Sequence, residues 1–205
     1  MCNLIHAEQT PAQAEEVLQF WFGSLKTPED YPEEKVKVWF SGGKAVDEEI
    51  ANRFGALVDA AANHQLDSWE ETPKGRLALI ILLDQFPRNI YRGQPKAFAF
   101  DSLAQKLTLD GLALNEDQAL FPIERVFFYL PLEHAENIAL QNLSLKKFHE
   151  VTESASLAQT ARYNSYEDYA IRHYEIIAKF GRFPHRNAIL NRISTPEEVE
   201  FLKQP

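Results

Sequence analysis

Residues 73–86, with the sequence PKGRLALIILLDQF, decide the fold class of this chain. Thr72 and Pro73 supply an N-cap residue followed by proline at the first helical position. Apolar residues then fall on all sides of the predicted helix, a pattern typical of a helix inside a protein core. The segment therefore predicts a buried central helix.

Further helices are predicted on both sides of this segment. The capping box Thr10-Pro11-x-Gln13 begins the first one, and Gly23 ends it. Pro131 is expected to kink one long helix or to split it into two, because proline disrupts the interior of a helix. The stretch 154–165 is predicted to be a flexible loop. The other predicted helices cover residues 44–64, 96–113, 122–130, 132–153, 165–180 and 195–203, and the last begins with a capping box formed by Thr195 and Glu198.

The composition fits one intracellular domain. A chain of 205 residues with 45% hydrophobic residues has enough apolar surface for a core. No strand-like alternation or linker is visible, so we expect a single all-α domain over residues 1–205 with a short disordered N-terminus at about residues 1–10. The only cysteine, Cys2, excludes an internal disulfide. The N-terminus lacks the apolar stretch of a signal peptide, which predicts a cytoplasmic location.

Two arginine-rich Phe-Pro segments echo each other, at residues 84–89 and 181–187. The stretches around them, 85–100 and 176–196, contain no acid, although the chain carries a net charge of −9. We expect each proline to end its helix and the two turns to meet in space, where paired guanidinium groups suit a phosphate or carboxylate. The predicted ligand-binding residues are Asp84, Arg88, Asn89, Arg92, Glu136, Arg182, Arg186 and Asn187.

A third feature is the segment Glu133-His134-Ala135-Glu136, which directly follows Pro131 and Leu132. A carboxylate beside an imidazole can tune a general base. On one helix, His134, Asn137 and Gln141 would share a polar face. The candidate catalytic residues are His134, Glu133 and His185. The spacing matches no common metal motif, so no metal site is predicted. His173 lies in an apolar stripe and is interpreted as a core histidine.

Several motifs resemble the uncharacterised bacterial family called domain of unknown function 924. They are VLQFWFG at 17–23, RLA at 76–78, LLDQFPRNIYRG at 82–93, LPLEHAE at 130–136 and FGRFPHRN at 180–187. The resemblance covers about residues 14–203. It implies a tetratricopeptide-like all-α fold, a compact right-handed array of antiparallel helices. No activity and no catalytic residues can be transferred from the family. Ala135 and Asn191 replace a serine and a glycine that are frequent in the family.

Three hypotheses fit these residues. The first is a site, binding or catalytic, for a small anionic metabolite, in which His134 or His185 moves a proton. The second is an adaptor that binds a peptide or protein in a helical groove. The third is an internal ion network, in which Asp84, Glu124, Glu133 and Glu136 neutralise the arginines.

The chain has no nucleophile elbow, P-loop or dinucleotide-binding motif, which favours acid–base over covalent chemistry if the protein is an enzyme. No cofactor and no oligomeric state follow from the sequence. The acidic charge argues against nucleic acid and anionic membranes as general partners.

Overall fold

The computed structural model describes residues 10–204, and none of them lies in a β-strand. The all-α prediction is therefore confirmed for this part of the chain. Cys2 and most of the predicted disordered N-terminus lie outside the described residues. The α-helices are α1 (Ala12–Phe22), α2 (Val36–Ser41), α3 (Gly43–Ala62), α4 (Pro73–Ile80), α5 (Phe86–Ile90), α6 (Asp101–Ala113), α7 (Pro122–Glu133), α8 (Ile138–Ser154), α9 (Thr160–Phe180) and α10 (Pro196–Phe201).

The central helix is buried as predicted, but it is not α-helical throughout and it extends further than predicted. A π-helical turn, Ile81–Gln85, joins α4 to α5, so the helix continues past Pro87 to Ile90. The prediction that Pro87 ends this helix is wrong. Pro87 directly follows the π turn, in which the N–H group of Phe86 donates to the carbonyl oxygen of Ile81, and the helix continues through it.

The core surrounds this central helix. α4 packs against α1, α6 and α7, and α5 packs against α3. The rings of Trp21 and Phe86 have their centroids 5.5 Å apart, and those of Trp21 and Phe127 are 5.7 Å apart. α7, α8 and α9 pack against one another in chain order. Because α7 contacts both α4 and the π turn, the end of α7 comes close to the end of α4.

Pro131 lies inside α7 and does not split it. The helix continues to Glu133, and the break between α7 and α8 comes at residues 134–137. Asn137 caps α8 by accepting hydrogen bonds from the N–H groups of Ala139 and Leu140. Gln141 donates to the carbonyl oxygens of Glu133 and Ala135, at 2.6 and 2.8 Å. The predicted face of His134, Asn137 and Gln141 is therefore wrong, because these residues do not share one helix.

The caps at Thr72 and Thr195 are confirmed, since both side chains accept a backbone hydrogen bond in the first turn of their helices. α1 lacks the predicted cap, because its N-cap is Pro11 and no side-chain bond is made there. α9 begins earlier than predicted, at Thr160. Of the predicted loop 154–165, residues 155–159 alone lie between α8 and α9. None of the described helices is both long and apolar enough to cross a membrane.

Candidate functional site

The site forms where the π turn meets the end of α7. Asp84, which is fully buried, lies on the π turn, and both of its carboxylate oxygens are 2.9 Å from Nδ1 of His134. Gln85 also donates to Asp84, and Arg88 Nη1 lies 3.2 Å from its Oδ1. Burial by itself would raise the pKa of Asp84, but Arg88 and His134 outweigh it and hold the pKa well below its usual range. Asp84 is therefore a buried carboxylate anion.

His134 is held in one orientation by this carboxylate. Since Asp84 can only accept, Nδ1 of His134 carries the proton, and Nε2 has no hydrogen bond within residues 10–204. Burial and the charge of Arg88 lower the pKa of His134, although Asp84 opposes the shift. The imidazole is therefore neutral near pH 7, and its free nitrogen is available as a proton acceptor.

Glu133 is the second acid of the site. Its buried carboxyl group has a pKa raised to about 8 by burial and by the negative charge of Asp84. Nδ1 of His173 lies 3.2 Å from Oε1 of Glu133 and 2.8 Å from the carbonyl oxygen of Tyr169, while burial lowers the pKa of His173. Glu133 is therefore a protonated acid near pH 7, beside a neutral base.

His173 is not the core histidine that the sequence indicated. A quarter of its side chain is exposed, and its ring lies 6.3 Å from that of His134, on the wall of the same cavity. The apolar stripe of α9 was misleading because Tyr169, one of its members, is 56% exposed. The stripe therefore borders an opening and does not lie wholly in the core.

The cavity measures about 680 Å³ and has two kinds of wall. Polar side chains come from the central helix, from the end of α7 and from α9: Gln85, Arg88, Asn89, Arg92, Glu133, His134, Ser165 and His173. Apolar and aromatic side chains come mainly from α2 and α9: Tyr31, Val36, Trp39, Phe40, Leu130, Tyr166 and Tyr169.

The two Phe-Pro turns meet, as predicted, through a residue that was not predicted. Asp101 lies 3.1 Å from Nη2 of Arg88 and 3.4 Å from Nη1 of Arg186. The guanidinium of Arg186 also lies 4.7 Å from the ring centre of Phe98 and 4.5 Å from that of Phe183. Burial and the charge of Arg88 lower the pKa of Arg186 to about 10, and burial raises the pKa of Asp101. The sequence signal was available, because Asp101 is the first acid after the stretch 85–100.

The structure divides the predicted site residues into two groups. Asp84 lies directly behind the cavity wall, and Arg88, Asn89, Arg92, Glu133 and His134 line it. The lining does not include the other predicted residues: Glu136, Arg182, His185, Arg186 and Asn187.

Two residues of the second group, Arg182 and Glu136, form ion pairs outside the cavity lining. Arg182 makes two hydrogen bonds to Glu198, at 2.7 and 2.8 Å, and Asn187 also donates to Glu198. Glu136 accepts from Arg192, which was not among the predicted residues, and from the N–H group of Phe183. These contacts hold the second turn in place.

Two of the four acids expected to neutralise the arginines, Glu124 and Glu133, pair with no arginine among residues 10–204. Glu124 pairs with Lys74 and caps α7 through the N–H group of Phe121, so it does not neutralise the arginines. Arg92 pairs instead with Asp47, which also accepts from Asn89. Residues 10–204 contain no group of three or more His, Cys, Asp or Glu side chains placed to hold a metal ion.

Comparison with known proteins places the chain in a family. A family model described as "Bacterial protein of unknown function (DUF924)" matches residues 17–205, so the chain belongs to this family. The chain is 36% identical to a solved structure of a protein of unknown function from Agrobacterium tumefaciens, with a TM-score of 0.81. That match covers 96% of this chain and 100% of the other. No curated protein matches the chain.

Proposed function

We propose that this member of the DUF924 family binds a small anionic metabolite in the cavity and that His134 acts on it as a general base. The observation that carries the proposal is the buried Asp84–His134 pair, whose free Nε2 belongs to a side chain on the wall of a cavity of about 680 Å³. A carboxylate that fixes the tautomer and orientation of an imidazole is a recurrent device of acid–base catalysis. A cavity of this volume suits a metabolite.

The chemistry that these groups support is the transfer of protons. His134 takes a proton from the ligand, and the carboxyl group of Glu133 gives one to another atom of the ligand. After this step His134 is a cation and Glu133 is an anion. A proton that passes from His134 back to Glu133 restores both groups, so the cycle needs no external oxidant or reductant.

Arg88 and Arg92 support the anionic character of the ligand. Arg92 uses Nε and Nη2 to bind Asp47, its side chain is 61% exposed, and Nη1 makes no hydrogen bond within residues 10–204. Asp47 itself is not among the residues that line the cavity. A ligand anion in the cavity would therefore meet the guanidinium group of Arg92 and not the carboxylate of Asp47.

The ion-network hypothesis fits the second Phe-Pro turn, residues 181–187, better than the ligand-site hypothesis does. Arg182 and Arg192 are both engaged by carboxylates and neither lines the cavity, so we assign them a structural role. The adaptor hypothesis has less support at the cavity, because docking of a peptide needs no buried acid–histidine pair. The adaptor hypothesis and the cytoplasmic location stay predictions.

Two measurements test the proposal. In a thermal-shift screen against anionic metabolites, a ligand should raise the melting temperature of the wild type but not of Arg92→Gln. The control Arg182→Gln, which changes an arginine outside the cavity lining, should keep the shift. Nitrogen NMR of His134 should show a neutral ring with the proton on Nδ1 at pH 7. A protonated His134 ring at that pH, or a shift that survives in Arg92→Gln, would contradict the proposal.

A further inference from the structure

We propose that the ligand is a planar aromatic carboxylic acid, whose ring lies against Trp39, Phe40 and Tyr166 and whose carboxylate faces Arg88 and Arg92. This inference rests on the proposed function and narrows its ligand to one chemical class.

Three aromatic residues of the cavity wall, Tyr31, Trp39 and Tyr166, have their polar groups engaged within the protein. The indole N–H of Trp39 donates to the carbonyl oxygen of Trp21 at 2.9 Å, and the hydroxyl groups of Tyr31 and Tyr166 lie 2.7 Å apart. Each of these groups is thus satisfied within the protein. The wall therefore offers ring surface to a ligand and few hydrogen bonds.

Part of this aromatic wall is exposed to solvent. Phe40 is 62% exposed, and its ring centroid lies 6.3 Å from that of Tyr166 and 6.1 Å from that of Trp39. Aromatic pairs prefer centroid distances of about 4.5–7 Å in tilted or offset arrangements, so a further ring can join this group. Large apolar side chains clustered at a cavity commonly mark a binding surface.

The charge of the lining selects an anion. Among the described residues that line the cavity, the two arginines, Arg88 and Arg92, face a single acid, Glu133. Asp47, Asp84 and Asp101, which pair with these arginines, are absent from that lining. The buried carboxyl group of Glu133 can in addition donate a hydrogen bond to a carboxylate while it keeps its proton.

The size of the cavity argues against an inorganic ion as its natural occupant. Cavities of about 300–1,000 Å³ hold ligands with several rings or chains, and a volume of about 680 Å³ lies within this range. A phosphate ion would leave the aromatic wall uncovered. A ligand that is both planar and anionic uses both walls at once.

Isothermal titration with four compounds tests this class. 2-Naphthoate has the ring and the charge, 2-naphthol keeps the ring without the charge, cyclohexanecarboxylate keeps the charge without an aromatic ring, and inorganic phosphate has the charge alone. We expect 2-naphthoate to bind at least about tenfold more tightly than each of the other three, a difference of about 1.4 kcal/mol. Phe40→Leu should reduce this preference, whereas Phe180→Leu, which changes a ring that packs on Phe201, should not.

The outcomes separate this inference from the proposed function. If cyclohexanecarboxylate or phosphate binds as tightly as 2-naphthoate and Arg92→Gln weakens it, the aromatic class is wrong and the anion site stands. If 2-naphthol binds as tightly as 2-naphthoate, the carboxylate has no role and the inference is overturned. If none of the three anions binds, both the inference and the proposed ligand are wrong.

Discussion

The replacement Glu133→Gln tests the electrostatics of the site most directly. The folded protein holds the pKa of Glu133 at about 8, against an ordinary value of 4.5. Between these two values the folded state binds a proton that the unfolded state does not, so the free energy of unfolding falls as the pH rises. Each pH unit is worth about 1.4 kcal/mol. Glutamine cannot ionise. As the pH rises from about 5 to about 8, the free energy of unfolding of Glu133→Gln should therefore increase by on the order of 4 kcal/mol relative to that of the wild type.

The assay is urea denaturation of both proteins at several pH values. Other groups also titrate in this range: burial lowers the pKa values of His134, His173 and His185, and their contribution to stability therefore rises with pH. That contribution is shared by wild type and variant, so the difference between the two isolates Glu133. The exposed Glu153 supplies a matched control, and Glu153→Gln should follow the wild-type profile.

Parallel stability profiles for wild type and Glu133→Gln would refute this reasoning. They would mean that Glu133 is ionised throughout and forms an ion pair with a protonated His173, which lies 3.2 Å away. In that case Glu133→Gln should be less stable than wild type over the whole range, because it would leave the charge of His173 without its partner. The proposed role of Glu133 as a proton donor would then be lost.

Three further predictions concern the core and the ion network. Leu79→Ala should lower the free energy of unfolding by about 2–5 kcal/mol in urea denaturation, since Leu79 is only 3% exposed, and a loss below about 1 kcal/mol would contradict its place in the core. Asp101→Asn removes the carboxylate shared by Arg88 and Arg186 and should cost about 3–5 kcal/mol in the same assay, whereas an unchanged stability would show that the arginines need no shared anion. Arg88→Gln should raise the pKa of His134 in an NMR titration, because the charge of Arg88 lowers it, and a pKa that stays the same would exclude that effect.

Most of the fold could be predicted because local rules determine most of its helices. The apolar residues of 73–86 indicated the central helix, and the caps at Thr72 and Thr195 marked helix starts correctly. The two errors about where a helix ends came at prolines, whose effect depends on the neighbouring residues. Pro87 follows a π turn, and Pro131 lies within three residues of the end of α7, where little helix remains to be broken.

The site was predictable only in part, since it depends on contacts between distant segments. The absence of acids around both Phe-Pro segments correctly predicted that Arg88 and Arg186 come together. The residue that joins them, Asp101, begins a different helix, and the sequence marks it only as the first acid after the stretch 85–100. His173 was misassigned for the same reason, because its helical face cannot show whether the neighbouring space is filled or open.

The π turn explains how one buried region can hold two acids in opposite protonation states. It carries Asp84 on the same short stretch of helix as Arg88, so one cation lies within 3.2 Å of this carboxylate, and His134 adds a hydrogen bond. Arg88 is also close to Asp101, which takes up part of its charge. No arginine or lysine is paired with Glu133 in the described chain, and the negative Asp84 is its main charged neighbour, so Glu133 keeps its proton. In the proposed reaction the ionised Asp84 orients His134 as the proton acceptor, while Glu133 keeps a proton that it can give.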